Sequence, residues 1–355
     1  MSEVTTNKRA KSGEVRQFIL EHVKDHPKDI ASFSAQQFGI SRQAINRHLQ
    51  HLTEQNWLEV EGTTRNKTYR LKALEQFEQT YALAGLEEHR VWGKEIAPRL
   101  LKLKLAKTVM TVWEYGFTEM LNNAIDHSNG TQVMINLNLY PTYAQLTILD
   151  NGEGIFRRVS RLLNLDDERH AVLELSKGKL TTDPANHSGE GIFFTSRLFD
   201  EFIIVSGKVF FSHTLNELED WIIEGDLDEH RSSTQGTLVE MKLNHKAQHT
   251  VKEVFDLYAS GEDFGFVKTV VPVRLAQYGN ESLISRSQAK RVLARVDRFK
   301  VVIFDFEGVE SVGQAFADEI FRVFKNQRPD IELQYIHANA ETEPMILRAR
   351  NRPTV

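Results

Sequence analysis

The stretch WEYGFTEMLNNAIDHS, residues 113–128, decides how the rest of the chain is read. Trp113, Phe117, Met120 and Ala124 recur at helical spacing and form one apolar face. Glu119, Asn123 and Asp126 stand at i, i+4 and i+7 and share another. A carboxylate beside a carboxamide oxygen offers the hard oxygen donors that Mg²⁺ takes while it keeps several waters. A solvated polar face has the same spacing, so the helix alone leaves both readings open.

Glycine loops follow on either side of further strands. Ile148-Leu149-Asp150-Asn151-Gly152-Glu153-Gly154-Ile155 ends a strand with an Asp and two spaced glycines. An Asp there can accept from an exocyclic amine, and the glycines let backbone approach a flat base. His187-Ser188-Gly189-Glu190-Gly191-Ile192-Phe193 leads into a helix expected to run through FFTSRLFDEF. Glycines at a helix start aim free N–H groups and the positive dipole end at phosphate oxygens. Gly236-Thr237 opens the strand TLVEMKL and offers one hydroxyl. A tight turn is the plain alternative for each G-x-G.

The order E-x-x-x-N, D-x-G-x-G, G-x-G, G-T resembles the GHKL ATP-binding fold, a Bergerat-type α/β sandwich. Histidine kinases, type II topoisomerases, MutL-type repair proteins and anti-sigma-factor kinases share it. The resemblance covers roughly 110–245, within an expected domain at 109–248, and implies ATP and Mg²⁺ as ligands. By that resemblance Asn123 ligates Mg²⁺, Glu119 is the general base and Asp126 belongs to the same nucleotide site. Asp150 takes the adenine amine, Gly152 and Gly154 shape its pocket, Gly189 and Gly191 cradle phosphates, and Thr237 supports the base. The stretch 156–188 becomes the ATP lid, with Lys177 and Lys179 on it and Lys179 counted among the ligand contacts. For both lysines a solvated charge is the plain alternative.

Working toward the N-terminus, 76–108 reads as a charged helical connector, and 1–75 as three helices and a hairpin. Val15, Phe18, Ile19 and Val23 make an apolar stripe, Ser32 or Ser34 caps a second helix ending at Gly39, and Ser41 caps a third. In SRQAINRHLQHL, Ile45, Leu49 and Leu52 face inward and leave Arg42, Gln43, Asn46, Arg47 and Gln50 outward. The segment resembles a winged helix-turn-helix. Arg, Gln and Asn make bidentate contacts to base edges in the major groove, while Arg65 and Lys67 at the wing tip suit phosphates. Protein contact or dimerisation is the competing use of such a fold.

Toward the C-terminus, 262–355 alternates strand and helix: FVKTVVPVRL, ISRSQAKRVLARV, KVVIFDF, GQAFADEIFRVFKN, IELQYIH and PMILRARN. VVIFDFEGVESVGQAFADEIFRVF and SLISRSQAKRVL resemble a STAS-like domain of unknown function, laid out as in anti-sigma-factor antagonists. Such antagonists carry a phosphorylatable Ser where Gln314 aligns; Ser311, Ser285 and Ser287 remain as acceptors, each with helix capping as its plainer role.

Composition bounds the rest. At 41% hydrophobic and 26% charged, the 355 residues suit a multidomain α/β protein that buries a core. The absence of cysteine excludes disulfides and Cys-based zinc sites and fits a cytoplasmic protein with no membrane partner. Residues 1–75 hold 12 Lys/Arg against 9 Asp/Glu, and the other 280 hold 32 against 40, so the basic front is where an anionic partner is expected. The functional expectation is a nucleotide-responsive DNA-binding transcriptional regulator with slow ATP hydrolysis. The alternative is a serine protein kinase or anti-sigma-like regulator acting on a STAS-like domain in cis or in trans. His89 lacks the surroundings of a histidine-kinase phosphoacceptor. A protein partner is expected through the STAS-like domain, and a homodimer through 74–108.

Overall fold

The structure, a computed structural model, describes residues 12–63, 66–165, 167–180, 189–214, 221–224, 235–259, 265–277 and 281–351. Arg65, His187 and Ser188 lie outside the described residues. The chain forms two compact units, one of Met1–Glu78, Asn136–Gln145 and Asn244–Lys246, the other of the remainder.

In the first unit α1 (Ser12–His22), α2 (Ile30–Phe38) and α3 (Arg42–Glu54) precede an antiparallel hairpin, β1 (Leu58–Glu61) with β2 (Thr68–Leu71). Val15, Ile19, Leu20, Val23, Ile30, Ile45, Leu49, Leu52 and Leu58 form its core, so the apolar spacing read from the sequence is the buried one. Ser41 caps α3 by accepting from Ala44 N at 3.2 Å. The second helix differs from expectation: Asp29 is its N-cap, and Ser32 and Ser34 lie inside it. Gly39 ends it in the left-handed conformation, φ +62°.

The stretch 76–108 corrects the sequence reading. It begins as β3 (Glu75–Ala82), edge strand of a seven-stranded sheet ordered β3-β4-β5-β9-β6-β7-β8. Phe77 and Tyr81 are half-buried while the Glu and Gln between them are exposed, a period near two that charge content had disguised as a helical surface. Helix follows only at α4 (Glu88–Val91), a π turn (Trp92–Ile96) and α5 (Ala97–Leu101). The other strands are β4 (Gln132–Leu139), β5 (Tyr143–Asp150), β6 (Glu201–Ser206), β7 (Val209–Thr214), β8 (Trp221–Glu224) and β9 (Leu238–Asn244). Every second residue of β4 and β5 is buried, which marks one covered face.

Helix α6 (Lys107–His127) carries the 113–128 stretch; α7 (Ile155–Leu163), α8 (Glu168–Lys177), α9 (Gly191–Leu198) and α10 (Val251–Tyr258) follow. Helix α9 stops at Leu198 instead of running through Phe202. Phe199 is already extended, and the β-branched, aromatic EFIIVS joins the sheet between β9 and β7.

The C-terminal part holds a parallel sheet of β10 (Lys268–Pro272), β11 (Val301–Asp305) and β12 (Glu332–Ile336). Helix α11 (Arg286–Leu293) crosses from β10 to β11. From β11 to β12 the crossover is α12 (Gln314–Asp318), a π turn (Glu319–Phe324) and α13 (Lys325–Gln327), and α14 (Thr342–Arg350) closes the chain. The expected strand FVKTVVPVRL is shorter than its apolar run: Pro272 has no N–H to donate, and a 3₁₀ turn, Val273–Ala276, follows it. Among the described residues no helix is long and apolar enough to cross a membrane.

Gly116, mid-helix in α6, is where the Phe199 ring presses on the backbone; a Cβ there would overlap the ring and meet Met241 Sδ at 3.3 Å. Phe199 is fully buried and stacks edge-on against Trp113 with centroids 4.9 Å apart, so it has little room to yield. Gly116→Ala gains about 1 kcal/mol of helix propensity and loses about 1–3 kcal/mol to overpacking. The expected result is a lower denaturation midpoint in urea, opposite in sign to a Gly-to-Ala change on an exposed helix.

Candidate functional site

One cavity of about 270 Å³ gathers residues from five separated segments. Helix α6 supplies Glu119, Met120, Asn123, Ala124 and His127; the end of β5 and the loop after it supply Ile148, Asp150 and Gly154. Gly189, Gly191 and Ile192 come from the start of α9, Thr237 and Val239 from the start of β9, and Leu175 and Leu180 from α8 and the turn beyond it. Seven of the residues singled out in the sequence therefore line one cavity: Glu119, Asn123, Asp150, Gly154, Gly189, Gly191 and Thr237.

Three do not. Asp126 is exposed outside the lining, where His127 stands instead. At 100° per residue the α6 residues that line the cavity run from Glu119 through Asn123 and His127 to Ala124, and Asp126 falls about 20° outside the Glu119 edge of that face. Gly152 sits behind the wall. Its N donates to Asp150 Oδ1 at 2.8 Å, and a Cβ there would collide with Ser128 O. Lys179 turns away: its Nζ donates to Arg298 O at 3.2 Å and lies 4.9 Å from the Phe299 ring centroid. Lys177 is 1% exposed and ion-paired with Glu174 at 2.7 Å, so neither lysine of the expected lid is a solvated charge.

Asp150 is the buried polar centre. It is 5% exposed, and Oδ1 accepts from Gly152 N at 2.8 Å and Thr237 N at 3.3 Å, so both main-chain donors fall on one oxygen. Thr237 Oγ1 accepts from Ile155 N at 2.9 Å, tying the loop after β5 to the start of β9. Burial pushes the Asp150 carboxyl above its ordinary value, and hydrogen bonds from Gly152 and Thr237 oppose that rise. Gly236 makes the junction feasible: it holds φ +103°, and a Cβ would strike Asp150 O.

Glu119 lies against the first residue of α9, where a Cβ on Gly191 would displace its carboxylate. The Tyr115 phenol beside it is pushed well up by burial and by Glu119 and Glu190. Asn123 is half-buried on the cavity wall. No group of three or more His, Cys, Asp or Glu able to hold a metal occurs among the described residues, so a cation here would take its remaining ligands from a bound molecule and water. Sequence reasoning missed Arg158, which lines the cavity one helical turn after Gly154, its N bonded to Gly154 O at 3.0 Å. Its i+4 spacing from that glycine was the available signal.

In the first unit Arg42, Gln43, Asn46, Arg47 and Gln50 are exposed on α3, opposite buried Ile45, Leu49 and Leu52, and Lys67 is exposed before β2. In the C-terminal part Ser285 caps α11 in a reciprocal box with Gln288, and Ser287 Oγ is 3.0 Å from Ser285 Oγ. Both amide atoms of Gln314 are buried without a hydrogen-bond partner among the described residues.

Residues 288–343 match the family described as STAS-like domain of unknown function (DUF4325), which agrees with the resemblance drawn for the C-terminal segment. No curated protein matches the chain.

The raised Asp150 pKa carries a sign. An acid whose native value lies above its unfolded value contributes stability that is full below the unfolded value and lost as pH rises through the native one. Asn at 150 keeps the Oδ1 acceptor and removes the charge. Without added ligand, Asp150→Asn should melt at or above the wild-type temperature at pH 7, and the difference should vanish near pH 3. Thermal melts across pH check this.

Proposed function

We propose that the cavity is an ATP–Mg²⁺ site of the GHKL type, and that the protein is a nucleotide-responsive regulator whose first unit binds duplex DNA. One observation carries the reading. A buried carboxylate and a Glu–Asn pair line one cavity, assembled from segments in the order that family uses.

The division of labour follows from the residues. Asp150 uses Oδ1 for the main chain, and neither of those donors falls on Oδ2, which can accept from an exocyclic amine. Met120, Ile148, Val159 and Val239 suit the faces of a flat base. The main chain at Gly189 and Gly191, at the start of α9, suits phosphate oxygens, with Arg158 as the nearby cation. Asn123 Oδ1 would hold Mg²⁺, which when bound neutralises charge on the phosphates. Glu119 would take a proton from an attacking water.

The regulator reading is favoured over a kinase acting on its own STAS-like domain. Gln314 has no hydroxyl, and Ser285 is engaged as a helix cap. The test is incubation with gamma-labelled ATP and Mg²⁺. Free phosphate, or tight binding without turnover, supports the regulator; label transferred to protein moves the conclusion to the kinase. Asp150→Asn should weaken nucleotide binding by about 1.5–3 kcal/mol, the value of a hydrogen bond to a charged group. Glu119→Ala should leave nucleotide bound and lower turnover by about 10²–10⁴-fold. Unchanged affinity in the first variant would remove adenine from Asp150.

For DNA, the supporting feature is the exposed row Arg42, Gln43, Asn46 and Arg47 on α3, whose opposite face is the core. Arg and Asn are the side chains that read guanine and adenine edges. Arg47→Ala should cost about 1–3 kcal/mol on the preferred site and relax specificity there, whereas Lys67→Ala should weaken all sequences alike. Selection from random duplexes, with and without ATP, measures both; no enrichment in either state would leave α3 as a protein-contact face.

A further inference from the structure

Helix α8 has two sides with different duties. Leu175, with Leu180 just beyond it, lines the cavity. His170, Glu174 and Lys177 bond instead to the STAS-like segment. Lys177 Nζ donates to Glu174 Oε1 at 2.7 Å, Arg291 O at 3.1 Å and Ala294 O at 2.8 Å, which uses all three of its donors. Those carbonyls end α11, so the buried ammonium caps that helix. Arg295 forks between Glu174 Oε2 at 2.9 Å and Lys179 O at 2.7 Å, and Arg298 adds a second donor to Lys179 O at 2.9 Å. Thr269 Oγ1 donates to Lys177 O at 2.8 Å, and Arg291 meets His170 Nε2 at 3.0 Å.

We infer that Glu174, Lys177 and Arg295 are positioning residues for the cavity: the STAS-like domain holds, in cis, the wall bearing Leu175 and Leu180, and so sets how fast a nucleotide enters and leaves. The inference rests on the ATP reading of the cavity and adds its regulation.

Three observations support it. First, buried ion pairs are poor stabilisers compared with apolar packing of the same volume, but they fix geometry, because removing either partner strands a charge. Glu174 and Lys177 are 3% and 1% exposed. Second, the backbone is held in place on both sides of the contact. Lys179 and Arg295 sit at φ +53° and +60°, a conformation that non-glycine residues hold only when their surroundings enforce it. Third, the bonds run to α8 and the turn beyond it, not to the sheet that carries Asp150, so loosening them frees the wall and leaves the floor intact.

The test uses the full chain and three variants: Arg295→Gln, Arg295→Lys and the exposed Arg298→Ala, the last of which removes one hydrogen bond and no buried charge. Amide hydrogen exchange without nucleotide and dissociation of a fluorescent ATP analogue with Mg²⁺ are both followed. Arg295→Gln should lose protection across 168–180 and release the analogue on the order of tenfold faster, as expected for a lost charge-assisted hydrogen bond. Arg298→Ala should shift both readouts in the same direction by less. Arg295→Lys should recover part of the loss, since it restores the charge but not the fork. Protection in α1–α3 should not change. Unchanged exchange at 168–180, or loss of protection throughout the chain, overturns the positioning role, as does changed exchange with unchanged release. Failure of the wild type to bind the analogue is a different result: it removes the nucleotide reading, and the gating with it.

Discussion

Asp150 is a carboxylate taken out of water at the end of a central strand, and the segments around it are shaped by that burial. Two main-chain N–H groups, one from the loop after β5 and one from the start of β9, converge on the same oxygen. For both to reach it, the chain must pass close behind at Gly152 and Gly236, where a side chain would meet Ser128 O and Asp150 O. Ser206 Oγ, from β6, then donates to Gly236 O at 3.0 Å. The buried acceptor thus ties the loop that opens α7 to the start of β9, and Ser206 joins the end of β6 to the same junction through Gly236. The fold supplies the hydrogen bonds that make burial tolerable, and the carboxylate they hold lines the cavity.

What could be read beforehand follows from the range of the interactions involved. The i, i+4 spacing of Glu119 and Asn123, the alternation in QVMINLNL and YAQLTILD, and the Ser41 cap are local, and each stands as read. The strand at 75–82 was missed because its polar residues alternate with only two aromatic ones, and charge content outweighed period. Asp126 shares the face of Glu119 at i+7, but the cavity lies toward Asn123 and His127, and spacing along one helix does not show on which side of Glu119 the cavity opens. The lysines at 177 and 179 were misread for a different reason. Their partners are 114–119 residues away, and no local pattern shows that a lysine will be buried against a distant helix end. The glycine loops were legible as a set because their order along the chain resembles one known fold, and Gly154, Gly189 and Gly191 do line one cavity, although each alone suits a turn.

Two parts of the cavity wall are built differently. Around Asp150 the contacts are main-chain hydrogen bonds between strand ends, which are hard to alter without altering the sheet. Around Leu175 and Leu180 the support comes from side chains of the STAS-like segment: long, forked and charged. Main-chain hydrogen bonds between strand ends can change only with the sheet, whereas side-chain support from the C-terminal part can change while the sheet stays as it is.

The distance in sequence between Lys177 and its acceptors has a consequence during synthesis. The ammonium and the Ala294 carbonyl that receives it lie 117 residues apart. At roughly 5–20 residues per second a ribosome takes about 6–24 s to make that interval. Through that time α8, buried over most of its surface in the finished protein, has no C-terminal helix to close against. The nascent chain therefore carries α8 without these partners until the last third emerges, and the wall is supported only after β10, α11 and the residues to Arg298 have been made.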